Sequence, residues 1–271
     1  MRRIVLCADD YALSPGVSRA IRDLVSRGRL NAASVMTVIP GFERECASLL
    51  STPSPIPVAI GLHATLTGPF APLAAPPIAT SNGKFPPLTK FLPPLGAFRI
   101  DRKAVKVEIA AQIAALRKAI GRDPDFVDGH QHVQLMPGVR MPFLEAVLEG
   151  APKAWVRQCG TPSGAGMRGG KARFIEFLSH GFRRHAGKLG IACNPAFSGA
   201  YDFSTTENFG ALFARFLEGL PARGVVMCHP GFVDAELVMR DSLTDRREAE
   251  YAFLAGENFP AVLARAGASL A

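Results

Sequence analysis

Short apolar, β-rich runs recur along this chain with room for a helix between most of them: RIVLCA (3–8), ASVMTVI (33–39), PVAIGL (57–62), DFVD (125–128), AWVRQ (154–158), GIACN (190–194) and GVVMCH (224–229). Strands that alternate with helices pair in parallel through right-handed crossovers. About seven such units in 271 residues predict an α/β fold, a closed or nearly closed barrel with its helices outside. A doubly wound open sheet is the alternative.

The intervening segments carry helix signals. Ser14 is placed to cap a helix with Pro15 in its first turn, and Val17, Ile21, Leu24 and Val25 repeat on one face up to Gly28. A second helix is predicted from Asp101, striped by Val105, Ile109, Ile113, Leu116 and Ile120, and a third carries Phe209, Leu212, Phe213, Phe216 and Leu217. Residues 69–100 are proline-rich and break the alternation, so the chain reads as one domain over 1–271 with an insertion there. A connection that long is either a lid or substrate wall, or a passive surface insertion. The stretch SGAGMRGG (163–170) reads as a mobile loop.

Bulk properties exclude several classes. No apolar run reaches the roughly 18 residues of a membrane helix, and the start MRRIVLCADD is too short in its apolar part for a signal peptide, so a cytoplasmic location is expected. Five cysteines with no C-x-x-C spacing read as buried thiols rather than a disulfide framework. The net charge of +8 comes from scattered bases with a thin excess between Arg168 and Lys188, which predicts a solvated surface and no specific nucleic-acid partner. Neither G-x-G-x-x-G after the first strand nor G-x-x-x-x-G-K-[ST] occurs, which removes the best support for dinucleotide and nucleotide triphosphate binding. The helix stripes that read as core could equally feed a homodimer interface.

Chemistry collects where strands end, on the rim that binds ligands in parallel α/β folds. Reading the ends off the sequence gives Asp9 and Asp10, His63, Asp128, His130 and His132, Arg157, Asn194 and His229. Four of the six histidines fall there, whereas His180 and His185 lie in a basic helical stretch and read as surface residues. Two adjacent acids at a strand tip repel unless a cation offsets them. A carboxylate with two imidazoles from three strands is a metal set with open positions for water, and it leaves the other acid free as a general base.

The segments ADDYALSPGVSRAI, GLHATLTG, DGHQHVQLMPG and MCHPGF, in that order, together with TDRREAEYAFL (244–254), resemble the YdjC/ChbG-like carbohydrate deacetylases, which include chitooligosaccharide deacetylases and a hopanoid-associated subgroup. The resemblance implies a distorted (β/α) barrel and a metal-dependent hydrolase that removes N-acetyl groups from amino sugars. It also implies that Asp10, His63 and His130 hold one divalent ion, that Asp9 is the general base and that His229 protonates the leaving amine. His132 is then second to the metal ligands or substrate-facing, and Arg157 meets a sugar hydroxyl, an anionic group or a salt-bridge partner. Tyr11 and Ala12 stand where the family usually has Phe-Gly, which makes Tyr11 a candidate substrate contact. Cys7 stands where an Asn is frequent, and Gln134 where some relatives have a further His. Two imidazoles favour Zn²⁺, with Mg²⁺ as the alternative. A metal-dependent phosphoesterase and a non-catalytic sugar-binding barrel are the rival functions.

Overall fold

The chain opens with β1 (Arg2–Arg3) and β2 (Val5–Tyr11), followed by α1 (Pro15–Ser26), β3 (Ala32–Val35), α2 (Phe42–Ser51) and β4 (Ala59–Ala64). After the proline-rich connection come α3 (Arg102–Ile120), β5 (Phe126–Gly129), α4 (Pro137–Gly150), β6 (Trp155–Val156), α5 (Gly170–Lys188) and β7 (Phe197–Ser198). The last part holds α6 (Phe209–Phe216), β8 (Val225–Cys228), α7 (Ala235–Arg240), α8 (Asp245–Ala255), α9 (Asn258–Arg265) and β9 (Ala268–Ser269). This computed structural model describes residues 1–74, 78, 80–91, 101–161 and 170–271. The expectations for 163–169, and for 75–77, 79 and 92–100 of the connection, lie outside the described residues.

Seven strands form one parallel sheet in the order β6-β5-β4-β3-β2-β8-β7. The sheet curls into a distorted barrel whose seam lies between β6 and the segment leading into β7. The run GIACN does not form a regular strand: a single bridge, Val156 with Cys193, joins it to β6. Gly190, at φ 71°, and Pro195 break the extended run. The Asn194 amide takes over the missing ladder, its Oδ1 accepting from the Gln158 N–H at 2.8 Å and its Nδ2 donating to the Gln158 carbonyl at 3.0 Å. The Phe197 N–H then donates to the Gly160 carbonyl at 2.8 Å and completes the closure.

Helix signals read from the sequence coincide with the observed elements. Ser14 Oγ accepts from the Val17 N–H, Asp101 caps α3 through the Lys103 and Ala104 N–H groups, and Asn208 caps α6. Val17, Ile21, Leu24 and Val25 of α1 are buried against the sheet, as are the five stripe residues of α3. Part of the proline-rich connection is anchored rather than loose. The fully buried Glu108 of α3 accepts from the Leu73 and Ala74 N–H groups at 3.1 and 2.8 Å, and Phe70, Ile78, Phe85 and Phe91 of the connection are buried.

Barrel strands present aliphatic side chains such as Leu6, Val35, Leu62, Val127 and Val226 to the core, and the C-terminal ends carry the buried charges. Gly61 shows how closely the strands are seated: a Cβ there would lie 2.3 Å from the Phe126 ring, so only glycine lets that ring cross β4. The same register pairs His63 with Asp128 directly across β4 and β5.

Candidate metal centre and active site

Successive side chains of a regular strand point to opposite faces, so Asp9 and Asp10 could not share one rim on an unbroken β2. A register shift between Ala8 and Tyr11 breaks it, with Asp10 at φ 64° and Ala12 at φ 76°. Such a left-handed step at a bulge re-aims a side chain next to a site. Both carboxylates end up buried, each only 2% exposed.

Asp10 Oδ1 lies 3.2 Å from His63 Nε2 and 3.1 Å from His130 Nδ1. The ligand atoms of Asp10, His63 and His130 all fall within 4.8 Å of one another, one carboxylate oxygen and two imidazole nitrogens facing a common point. Asp10 and His63 are also held from behind. Asp10 Oδ2 accepts from Arg247 Nη2 at 2.7 Å, and His63 Nδ1 lies 2.7 Å from Asp128 Oδ1, which also accepts from Ser34 Oγ at 2.6 Å. A carboxylate behind a histidine fixes its tautomer and leaves Nε2 free for an ion. Donor type, number and support therefore fit a divalent metal.

Electrostatics follow from burial with compensation. Burial alone would raise the Asp10 pKa, but the Arg247 charge and the hydrogen bonds to His130 and His63 hold it well below the usual carboxylate range. Burial would lower His63, yet the Asp128 and Asp9 charges and the Asp10 hydrogen bond push it up to about 10. Asp128 is likewise kept low, against its burial, by Arg157 and His63.

Asp9 has a different partner. Arg157, fully buried, donates Nη1 to Oδ2 at 2.6 Å and Nη2 to Oδ1 at 2.7 Å, and Nη2 also lies 2.6 Å from Asp128 Oδ2. Of the expectations for Arg157, the salt bridge is the one found, with both terminal nitrogens held by two carboxylates. A second trio of close donors, Cys7, Asp9 and Asp128, is bridged by that cation through its two acids, and burial keeps the Cys7 thiol protonated.

Tyr11, the expected substrate contact, has a fully buried ring whose hydroxyl donates to the Glu45 carbonyl at 2.6 Å and accepts from Arg22, so it ties β2 to α1 and α2. The bulge that turns both acids to the rim sends the next residue into the helix layer.

His132 follows a tight turn in which Gln131 and His132 both adopt left-handed φ, 54° and 57°. It is half-buried, its Nδ1 3.5 Å from Cys159 Sγ and its ring edge-on to Phe197. Burial, then the Arg157 charge, keep it neutral, with its pKa pushed down to about 3. His229 directly follows β8, the neighbour of β2; its N–H donates to Glu250 Oε2 at 2.6 Å, and its Nδ1 is buried without a hydrogen-bond partner. The Tyr201 hydroxyl donates to the other Glu250 oxygen at 2.6 Å. His180 is exposed and His185 half-buried, its Nδ1 bonded to the Gly181 carbonyl one turn back.

The sequence places Asp128 on the rim without giving it a role, and it does not single out Ser34, Arg247 or Glu250. Arg247 is 237 positions from Asp10, and no spacing rule connects them.

A carbohydrate deacetylase from Mus musculus is 30% identical over 254 residues, covering 85% of this chain and 78% of its own. A chitooligosaccharide deacetylase from Yersinia pseudotuberculosis is 25% identical over 270 residues, covering 97% and 95%. The crystal structure of an Enterococcus faecalis V583 protein named for cellobiose-phosphate cleavage superposes with a TM-score of 0.78 at 20% identity, over 100% of this chain and 97% of that one, and shares the fold. The sequence profile of the YdjC-like protein family matches residues 3–265, and with it the chain belongs to the YdjC-like family.

Proposed function

We propose that this protein is a metal-dependent hydrolase that removes an N-acetyl group from an amino sugar of the chitooligosaccharide or N-acetylglucosaminyl glycolipid class. One observation carries the reading: two sequence-adjacent acids are separated by a bulge into different roles, Asp10 facing two imidazoles and Asp9 clamped by Arg157. The deacetylase relatives support the same assignment.

Asp10 Oδ1, His63 Nε2 and His130 Nδ1 would hold the ion, Zn²⁺ by donor type, with Mg²⁺ the alternative. When bound, the ion supplies Lewis acidity that polarises the acetyl carbonyl and acidifies water. Asp9 accepts the proton of the attacking water. Arg157 occupies one lone-pair direction on each Asp9 oxygen and leaves the others, so the carboxylate stays oriented and able to accept. His229 is positioned by Glu250 through its main chain and delivers a proton to the departing amine. His132, uncharged, offers a neutral hydrogen-bonding edge to the sugar.

Acetate release from an N-acetylated chitooligosaccharide by metal-stripped and Zn²⁺-reloaded protein is the test. Acetate only from the reloaded protein supports the reading. Phosphate release from p-nitrophenyl phosphate in its place would establish the phosphoesterase, and neither product from either preparation would leave a sugar-binding barrel.

A further inference from the structure

Helix α5 packs on the barrel through one stripe only. Ile175, Leu178, Phe182 and Ala186 recur at helical spacing and are buried, the Phe182 ring tilted against Phe143 of α4 at a centroid distance of 6.0 Å. On the far side, Phe174, Phe177, His180, Arg184 and Lys188 follow one another at the same spacing and are exposed along the length of the helix. Phe177 is 74% exposed and Phe174 38%. Two neighbouring phenyl rings held in water add little to the core and mark a surface with a partner.

Positive charge collects on the same helix. Gly170–Lys188 contains Lys171, Arg173, Arg183, Arg184 and Lys188 against the single acid Glu176, a net +4 of the chain's +8. Glu176 is taken up close by: its Oε2 accepts from the Thr161 N–H at 2.6 Å and its Oε1 lies 3.7 Å from Arg183. Among the described residues Arg184 and Lys188 form no ion pair. Arg140 of α4 packs against Gly181, where a Cβ would lie 2.3 Å from its Nη1, and adds another cation beside the stripe. The other exposed apolar pair, Val238 and Met239 of α7, is flanked by Asp234, Glu236 and Asp241 and has no such charge.

Exposed phenyl rings in line with unpaired bases match a partner that is anionic at its surface and apolar beneath, which is an anionic lipid bilayer. A second copy of the chain docking through this face would set the same bases against each other. A nucleic-acid strand is held in a basic groove that tracks its backbone, whereas this stripe is the convex outer face of a barrel helix.

We propose that the outer face of α5 docks the protein on anionic bilayers, with the helix lying along the headgroups, Phe174 and Phe177 entering the acyl boundary and Arg184 and Lys188 meeting the phosphates. Because α5 follows β6 and Arg157, its phenyl-bearing half is the half nearer the rim, and docking brings the edge of the rim to the lipid surface. This association does not depend on the deacetylase reading.

The experiment is co-sedimentation of the full chain with vesicles of phosphatidylcholine alone and of an equimolar mixture with phosphatidylglycerol. Wild type is expected to bind the anionic vesicles about tenfold or more tightly than the neutral ones. Phe177→Ser and the double variant Arg184→Gln/Lys188→Gln are each expected to weaken that binding by about tenfold, with melting temperatures unchanged because the positions are exposed. Phe177→Trp keeps the binding, and its fluorescence is quenched by brominated lipid in the anionic vesicles, whereas Val238→Trp on α7 is not quenched. No binding to anionic vesicles, equal binding to neutral ones, binding that survives both variants, or quenching of Val238→Trp in place of Phe177→Trp overturns the proposal. So does a dimer, or binding to a single-stranded oligonucleotide tighter than to vesicles, that Phe177→Ser abolishes.

Discussion

Both terminal nitrogens of Arg157 close on both carboxylate oxygens of Asp9, at 2.6 and 2.7 Å, where neither residue is more than 2% exposed. The same guanidinium reaches Asp128, which in turn holds His63. One buried cation thus links the residue assigned to proton transfer with the support of a residue assigned to the metal.

Lysine in place of Arg157 keeps the charge and loses the planar fork. Arg157→Lys is expected to lower kcat by about 10²-fold through misplacement of Asp9, with Zn²⁺ affinity changed far less. Arg157→Met leaves Asp9 and Asp128 without their cation and is expected to cost about 3–5 kcal/mol of stability. Steady-state kinetics beside urea unfolding separates the two effects. Full turnover in the lysine variant would show that the fork does not orient the base.

The two acids should fail differently. Asp9→Asn is expected to retain one Zn²⁺ per chain and to lose about 10²–10⁴-fold in kcat. Asp10→Ala is expected to lose metal affinity by about 100-fold or more, because it removes the oxygen shared by both imidazoles. Calorimetric titration of metal-stripped protein reads the second effect and acetate release the first; wild-type behaviour in both variants would dissolve the assignment.

A proton on His63 does the bridging when no ion is bound, since Asp128 and Asp10 face its two ring nitrogens. With its pKa pushed up to about 10, His63 is charged at neutral pH, and ligation through Nε2 must displace that proton. Zn²⁺ binding at pH 8 is therefore expected to release about one proton from this group, and affinity to rise up to about tenfold per pH unit below the His63 pKa. The sign for the metal-free fold is opposite. A folded pKa above the unfolded value near 6.5 means that this contribution is complete below about pH 6.5 and is lost as pH rises through about 10. Titrations in buffers of different ionisation enthalpy count the proton, and melting of chelator-treated protein between pH 7 and 10 checks the stability.

One side-chain amide stands in for ladder hydrogen bonds at the barrel seam. Asn194→Ala removes the partners of the Gln158 N–H and carbonyl, both buried, and is expected to cost about 2–4 kcal/mol. A lowered urea midpoint with an unchanged slope is the measurement, and a loss below about 0.5 kcal/mol would show that water replaces the amide.

Much of this molecule is readable from its residues alone. The period of apolar runs and the caps at Ser14, Asp101 and Asn208 specify strands, helices and a parallel α/β barrel, because backbone hydrogen bonding and burial of a striped face are local requirements. Strand ends locate Asp9, Asp10, His63 and His130, since parallel topology delivers every such end to one rim. What each residue meets there was settled only by the fold. Arg157 reads equally as a substrate contact and as a salt-bridge partner until Asp9 and Asp128 are seen to enclose it, and nothing in the sequence shows that the Tyr11 hydroxyl meets the Glu45 carbonyl. Arg247 and Glu250 lie in the family-like stretch TDRREAEYAFL, but nothing in that stretch names their partners: Asp10 and the His229 N–H are brought to them by packing of α8 against the rim. Residue type and spacing determined which groups arrive at the site; the pairing of buried charges, set by contacts between segments far apart in the chain, decided which of them remain free to act.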